Sequence, residues 1–257
     1  MKGIKRNGSL LFTASVVLLF GLSLLACNPN KERQNLYGTW IMESLDGQPV
    51  PTNSLFVARF YPQGTEMHAA GVIEDSVTRW GERDDYTYEF VGNEGSNVLL
   101  TGVSPSNQKV RIFFDVQTLT KDKFVYTFAN PGMVGSFLSK GNIVTLRKSD
   151  VDYSKQIVGL WEGTVGLGHR FDFKADGTYD FYVNLSGEWK IINGRNVAYH
   201  LYGDLLICDV FNSKAVSGKD GYDAWIIHIE GDQMTMDAKR GSTLSERHLA
   251  LKRLPNE

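Results

Sequence analysis

The side chains that most often carry catalytic or metal chemistry are scattered through this sequence. Its five histidines form no His-x-x-x-His pair, and no cysteine lies close enough in sequence to complete a zinc site. The five histidines are His68, His169, His200, His228 and His248. A β-barrel that binds haem needs an inward-facing histidine, and His200 and His228 are the candidates because each lies inside a strand-like segment. At both positions we expect a surface or hydrogen-bonded histidine instead.

Two short motifs imitate functional sites. Residues 172–177 (Asp-Phe-Lys-Ala-Asp-Gly) begin like a calcium loop, but Lys174 occupies the third position and Val183 the twelfth, where a glutamate belongs. We interpret the segment as a hairpin turn. Ser106 and Lys109 spell Ser-x-x-Lys, yet they follow Pro105 in a turn-rich stretch, whereas that acyl-transfer motif should open a helix. The sequence therefore predicts no enzyme, no metal and no cofactor.

The first 26 residues have the layout of an export signal. Three basic residues lie within the first six positions, and an apolar run follows from Leu10 to Leu25. The run is shorter than the roughly 20 apolar residues of a transmembrane helix. It ends in Leu24-Leu25-Ala26-Cys27, which resembles the lipobox of bacterial lipoproteins. An ordinary secretory signal and a short membrane anchor are the alternatives.

The lipoprotein resemblance implies that Cys27 carries acyl chains such as palmitate and becomes the mature N-terminus. Residues 1–26 are then a signal peptide and residues 27–35 a tether. Asn28 follows the cysteine, and the absence of an aspartate there favours the outer membrane over inner-membrane retention. The resemblance leaves open whether the protein lies on the periplasmic face or at the cell surface.

Charge excludes one large class of partners. Without its leader the chain keeps 24 basic and 29 acidic residues and has no basic stretch. Nucleic-acid binding depends on basic surfaces that neutralise phosphates, so we expect no nucleic-acid partner. The membrane, reached through the N-terminal lipid, is the partner that the sequence predicts.

The second cysteine has no partner left to form a disulfide. Cys208 lies in the apolar segment Leu205-Leu206-Ile207-Cys208-Asp209-Val210, which is typical of a strand. No neighbouring base is visible that would activate it. We therefore predict a buried structural thiol.

The chain contains two copies of one plan. Leu36-Tyr37-Gly38-Thr39-Trp40 matches Ile157-Val158-Gly159-Leu160-Trp161, and Val144–Lys148 matches Leu249–Arg253. A Phe-x-x-x-Gly-Thr turn lies between these matches in each copy. The matches occur in the same order, which indicates an internal duplication. The copies span residues 36–149 and 153–254.

Each copy is predicted to be a series of β-hairpins. Glycine is frequent (26) and proline scarce (7), which suits strands joined by tight turns. Hairpins are predicted around residues 121–123, 175–177, 193–194 and 230–233. Residues 243–254 fit either a strand or an amphipathic helix, and we favour the strand. A meander of roughly eight strands removes its edges by closing into a barrel. The fold class is therefore all-β, with two tandem antiparallel up-and-down barrels after a signal peptide.

The Gly-x-Trp pattern, the meander and the basic pair at the end of each copy resemble lipocalin-like, or calycin-type, barrels of bacterial lipoproteins. In that family the tryptophan packs at the closed end of the barrel beneath a basic side chain from the last strand. The resemblance implies that Trp40 lies under Arg147 or Lys148. It likewise implies that Trp161 lies under Lys252 or Arg253.

The expected function is binding without catalysis. A lipocalin-like barrel implies a small-molecule ligand or another envelope component bound through the barrels. The alternative is a protein-interaction module, such as an enzyme inhibitor or an accessory subunit, that acts through hairpin loops. A roomy apolar interior would favour the first function, whereas a packed interior with an exposed apolar patch would favour the second.

Overall fold

The fold is given by a computed structural model of the 257-residue chain. It describes residues 33–50, 55–72, 78–81, 84–92, 97–103, 109–129, 140–164, 168–192, 197–210, 221–240 and 248–255. Almost all of these residues lie in antiparallel strands or in the turns that join them. Two closed eight-stranded up-and-down barrels follow each other along the chain.

The first barrel is built from residues 38–149. Its strands are β1 (Gly38–Leu45), β2 (Gln48–Pro49), β3 (Phe56–Tyr61), β4 (Gly64–Val72), β5 (Thr78–Trp80), β6 (Asp84–Val91), β7 (Asn97–Val103), β8 (Lys109–Leu119), β9 (Lys123–Phe128) and β10 (Ile143–Ser149). The wall runs β1-β3-β4-β6-β7-β8-β9-β10, and β10 pairs with β1 to close it. The short strands β2 and β5 pair with the ends of β1 and β4.

The second barrel repeats this plan over residues 159–253. Its strands are β11 (Gly159–Gly163), β12 (His169–Phe173), β13 (Thr178–Leu185), β14 (Glu188–Ile191), β15 (Val197–Tyr202), β16 (Leu205–Asp209), β17 (Tyr222–Glu230), β18 (Gln233–Arg240) and β19 (His248–Arg253). The wall runs β11-β12-β13-β15-β16-β17-β18-β19, and β19 pairs with β11. The predicted strand at the chain's end is confirmed over residues 248–253, while Thr243–Glu246 lie outside the described residues.

Three predicted hairpins are confirmed. Strands β8 and β9 flank residues 120–122, and β17 and β18 flank Gly231-Asp232. The third hairpin joins β12 and β13 at residues 172–177, the segment that begins like a calcium loop. Gly177 there has φ +84°, which glycine adopts readily, and Asp176 accepts hydrogen bonds from Thr178. Lys174 there forms an ion pair of 2.8 Å with Asp180. Local turn chemistry and ion pairing thus account for the residues of this motif.

The fourth predicted hairpin, across Asn193-Gly194, was wrong. The dipeptide itself lies outside the described residues, but the strands on either side of it do not pair with each other. Strand β14 pairs with β13 through the turn at Ser186-Gly187, and β15 pairs with the opposite end of β13 and with β16. Ser186 and Gly187 both have positive φ, as a tight two-residue hairpin turn requires. Asn-Gly is a common hairpin turn in sequences, but here the strand that precedes it, β14, pairs with β13 and not with β15.

The two barrels pack against each other through strands that are buried on both faces. Leu206 and Cys208 of β16 belong to the core of the second barrel, whereas Leu205 and Ile207 belong to a buried cluster shared with the first. This explains why the segment lacks the alternation of a half-exposed strand. The apolar run in the sequence therefore marks the contact between the barrels.

Polar contacts fix the position of the β15–β16 turn on the first barrel. Arg147 Nη2 donates a hydrogen bond to Asp204 Oδ1 at 3.0 Å and lies 2.9 Å from Oδ2 of the same carboxylate. The Asp204 N–H donates to Ser149 Oγ. Arg59 donates to the carbonyl oxygen of Leu201 at 2.9 Å. The ion pair is largely buried, so solvent screens it less than a surface pair.

Candidate functional site

Trp40 lies where β1 pairs with β10 to close the wall of the first barrel. The indole is fully buried, and its N–H donates to the carbonyl oxygen of Leu36 at 2.7 Å. The Lys148 ammonium lies 5.5 Å from the ring centroid and donates to the carbonyl oxygen of Asn35. Arg147 lies next to Lys148 but pairs with Asp204 of the second barrel. The structure therefore brings Lys148, and not Arg147, to the tryptophan.

The second barrel has the same arrangement with tighter contacts where β11 pairs with β19. Trp161 donates to the carbonyl oxygen of Ile157 at 2.7 Å, and the Arg253 guanidinium carbon lies 4.1 Å from the ring centroid. Arg253 also donates to the carbonyl oxygens of Val158 and Gln156. The neighbouring Lys252 is exposed. Arg253 is thus the residue that covers this ring.

The glycine of each Gly-x-Trp motif makes room for the basic side chain. Gly38 and Gly159 have φ of +118° and +131°. A Cβ atom at Gly38 would lie 2.6 Å from Lys148 Cε, and one at Gly159 would lie 2.8 Å from Arg253 Nη1. Backbone conformation and close approach both require glycine at these positions. The motif is a packing device of the barrel and does not by itself form a binding site.

Aromatic side chains fill the middle of the first barrel. The rings of Trp40 and Phe124 lie 5.7 Å apart edge to face, and Phe124 also contacts Phe60 at 6.3 Å. Phe114 and Tyr126 stack with centroids 4.1 Å apart. Such contacts are typical of a packed core and leave little space for a large ligand among these residues.

Tyr126 is the exception in this core. It is fully buried, and its hydroxyl is the only buried side-chain polar atom without a hydrogen-bond partner among the residues that the structure describes. Burial raises the pKa of this phenol far above its usual value. An unpaired buried hydroxyl carries a desolvation cost of about 1–3 kcal/mol.

The interior of the second barrel is also aromatic. Phe171 and Phe181 stack at 4.6 Å, and Phe173 and Tyr179 at 5.7 Å. His169 is buried beside Phe181, 5.6 Å between ring centroids. This inward histidine was not predicted from the sequence, although it continues the alternating series of inward residues on β12.

The two haem candidates lie on the outside of the second barrel. His228 is exposed and contacts the Tyr153 hydroxyl at 3.2 Å, while His200 lies 3.9 Å from Asp209. Both match the expectation of a surface or hydrogen-bonded histidine. Across the described ranges, no group of three or more His, Cys, Asp or Glu side chains is placed to hold a metal ion.

The predicted buried thiol is confirmed. Cys208 is a buried free cysteine, and burial together with the Asp223 carboxylate raises its pKa well above the usual value. It is therefore a poor nucleophile at neutral pH. The predicted lipidation site, Cys27, lies outside the described residues. In the part of the chain that is described, no helix is long and apolar enough to cross a membrane.

The outer wall of the first barrel carries a cleft of about 610 Å³. Its lining residues come from β6, β7 and β8 and from the residue that follows β9: Glu89, Val91, Leu99, Arg111, Phe113 and Ala129. The register places Glu89 opposite Leu99 and Leu99 opposite Phe113. The neighbouring residues Val98 and Leu100 point into the core, so these side chains point outward.

The cleft combines an apolar floor with two opposite charges. Leu99 is buried and Phe113 half-buried, whereas Glu89 and Arg111 are exposed. The two charged residues lie on β6 and β8, on either side of β7, so their strands are roughly 10 Å apart. This arrangement suits a ligand with an apolar body and polar groups at its ends. The cleft leaves no signal in the sequence, because its lining residues meet only through strand pairing.

No protein-family profile matches the chain, and no curated protein matches it. The two closed eight-stranded antiparallel barrels are consistent with a lipocalin-like fold, and that fold is compatible with ligand binding.

Proposed function

We propose that this chain is a lipid-anchored, non-enzymatic binding protein of the outer membrane. Its ligand is a small amphiphilic molecule, or the equivalent part of an envelope component, held in the outer cleft of the first barrel. The observation that carries the proposal is the cleft of about 610 Å³. Ligand sites typically enclose about 300–1,000 Å³ and combine apolar walls with a few polar groups.

The aromatic contacts inside the two barrels direct the proposal to the outer wall. The Phe114–Tyr126 and Phe171–Phe181 stacks lie where a ligand of a hollow barrel would be held. In the cleft, Leu99 and Phe113 would bury the apolar body of the ligand. Glu89 would bind a cationic or hydroxyl group, and Arg111 an anionic group.

The test is recovery of a bound molecule with the full chain. The protein is extracted from outer membranes in mild detergent, and co-purifying molecules are identified by native mass spectrometry. Phe113→Arg should place a charge in the floor and abolish retention. Val103→Arg is the matched control, because Val103 is 59% exposed on the same wall and does not line the cleft. Equal retention by Phe113→Arg and wild type would contradict the proposal.

The same preparation tests the alternative function. If a protein is retained instead, and neither Phe113→Arg nor Arg111→Glu reduces its retention, the interaction occurs outside the cleft. That result would favour the interaction module acting through barrel loops.

The anchor is tested separately by membrane fractionation. Cys27→Ser should move the protein from the membrane to the soluble fraction, because acyl chains supply about 0.8 kcal/mol per buried CH₂ group. A wild-type protein that is already soluble, or an intact mass that retains residues 1–26, would contradict lipidation. Neither result bears on the cleft proposal, which the retention experiment tests separately.

A further inference from the structure

Among the strands that the structure describes, none covers the outer edge of β14. Strand β14 pairs with β13, and Ile192 N–H donates to the carbonyl oxygen of Phe181 on that side. Backbone groups alternate between the two edges of a strand, so those of Lys190 face β13 and those of Trp189 and Ile191 face the other edge. Among the described residues, no strand pairs with that outer edge. It is a template for an additional strand.

Exposed apolar side chains lie near this edge, and polar contacts hold the side chain of Trp189 in place. Leu185 and Ile192, at the two ends of the hairpin, are 48% and 47% exposed. The Arg170 guanidinium carbon lies 4.0 Å from the centroid of the Trp189 ring, and Glu162 holds that guanidinium at 3.0 Å. The edge is therefore held in position before anything binds, which lowers the entropic cost of pairing.

The charge pattern of β14 selects one self-pairing register. In an antiparallel pair centred on Trp189, that residue lies opposite its own copy, and Glu188 of each copy lies opposite Lys190 of the other. Trp189 then exchanges both backbone hydrogen bonds with its counterpart. Moving the centre by one residue places either two Glu188 or two Lys190 side chains opposite each other, which is unfavourable. Glu188-Trp189-Lys190 is thus complementary to itself in one register.

We propose that the protein forms a two-fold symmetric dimer in which β14 pairs antiparallel with β14 of a second copy, centred on Trp189. The contact joins the walls of two second barrels into one continuous sheet, an isologous interface that closes after two subunits. The cleft of the first barrel takes no part in the contact. Dimerisation is therefore independent of ligand binding at that cleft.

Charge exchange provides a specific test. Lys190→Glu and Glu188→Lys each place like charges opposite each other in the dimer, so each variant alone should dimerise at least roughly tenfold more weakly than wild type. An equimolar mixture of the two variants restores opposite charges and should recover dimerisation. The measurement is light scattering with size-exclusion chromatography of the full chain in detergent, over a range of concentrations.

A backbone variant tests the strand pairing itself. Ile191→Pro removes an N–H that faces the outer edge, where proline is tolerated, and should reduce dimerisation. Circular dichroism and the denaturation midpoint should match wild type, because the ladder to β13 stays intact. A wild-type protein that is monomeric at every concentration would overturn the proposal. So would charge variants that dimerise like wild type, or a mixture that dimerises no better than either variant alone.

Discussion

The Arg253 guanidinium lies over the face of the Trp161 ring at 4.1 Å, closer than the 5.5 Å between Lys148 and Trp40 in the first barrel. Arg253 also donates hydrogen bonds to the carbonyl oxygens of Gln156 and Val158, in the segment that precedes β11. A planar guanidinium can stack on the ring and donate these hydrogen bonds at once, which an ammonium does less well. The second barrel is therefore closed by a more extensive contact than the first.

Substitutions at this contact should differ in a defined order. Trp161→Ala removes a fully buried indole and should lower the free energy of unfolding by about 3–5 kcal/mol. Arg253→Ala loses the cation–π contact and the hydrogen bonds and should cost about 1–3 kcal/mol. Lys252→Ala, the exposed neighbour, should stay within about 0.5 kcal/mol of wild type. Denaturant unfolding measures all three.

A double-mutant cycle checks that the first two effects share a contact. The combined Trp161→Ala and Arg253→Ala protein should lose less stability than the sum of the single variants, because the contact can be lost only once. Additive losses would show that the ring and the guanidinium stabilise the barrel independently.

Gly203, in the β15–β16 turn, packs directly against Ser149 of the first barrel. Its φ is +65°, and a Cβ atom there would lie within van der Waals overlap of Ser149 Oγ. We expect Gly203→Ala to force the β15–β16 turn away from the first barrel and weaken the Arg147–Asp204 ion pair. The ion pair should become more sensitive to salt, and the barrels should unfold in separate transitions. Calorimetry and limited proteolysis measure this change.

Gly231 provides the matched control for this substitution. Its φ is +58°, close to that of Gly203, but a Cβ atom added there would have no neighbouring atom within 4 Å. Gly231→Ala should therefore carry only the backbone cost, about 1 kcal/mol. If both variants unfold alike, close packing at Gly203 does not hold the barrels together.

The duplication and the barrel closure were predictable because both leave short-range signals. Gly38 and Trp40 recur as Gly159 and Trp161, and the predicted turns contain residues with strong local preferences. The pairing of β14 was not predictable from the sequence. A strand of four residues can pair with the strand before it or with the strand after it, and a turn signal lies on each side of β14. The Asn193-Gly194 signal favoured the wrong partner.

The cleft and the inter-barrel contact could not be predicted for a different reason. Leu99 and Phe113 meet only once β7 and β8 are in register, and Arg147 meets Asp204 only once the barrels dock. Neither distance is encoded in residue spacing. The apolar run Leu205–Cys208 indicates a strand that is buried on both faces. It does not indicate which part of the chain covers the second face.

Tyr202 should make the protein lose stability at high pH. Its hydroxyl accepts a hydrogen bond from Trp80 Nε1 at 3.0 Å between the barrels, and burial raises its pKa to about 12. The folded state therefore keeps this proton after the unfolded state has lost it, near pH 10. The stabilisation is complete below about pH 10 and is lost as pH rises towards 12.

Tyr202→Phe isolates this contribution. The variant should be less stable by about 0.5–1.5 kcal/mol at about pH 8, because a hydrogen bond is lost. Between about pH 8 and pH 11 its stability should fall by about 1 kcal/mol less than that of wild type. The other tyrosines titrate in both proteins and cancel in the comparison. Equal pH dependence, measured by denaturant unfolding, would show that Tyr202 keeps an ordinary pKa in the folded protein.

Tyr126→Phe should have the opposite effect on stability at neutral pH. The hydroxyl of Tyr126 is fully buried without a hydrogen-bond partner, whereas the ring stacks on Phe114 at 4.1 Å. Phenylalanine keeps the ring and removes the unpaired oxygen, so the free energy of unfolding should rise by about 1 kcal/mol. Denaturant unfolding of the purified full chain measures the change. A loss of stability would show instead that the hydroxyl has a hydrogen-bond partner in the folded protein.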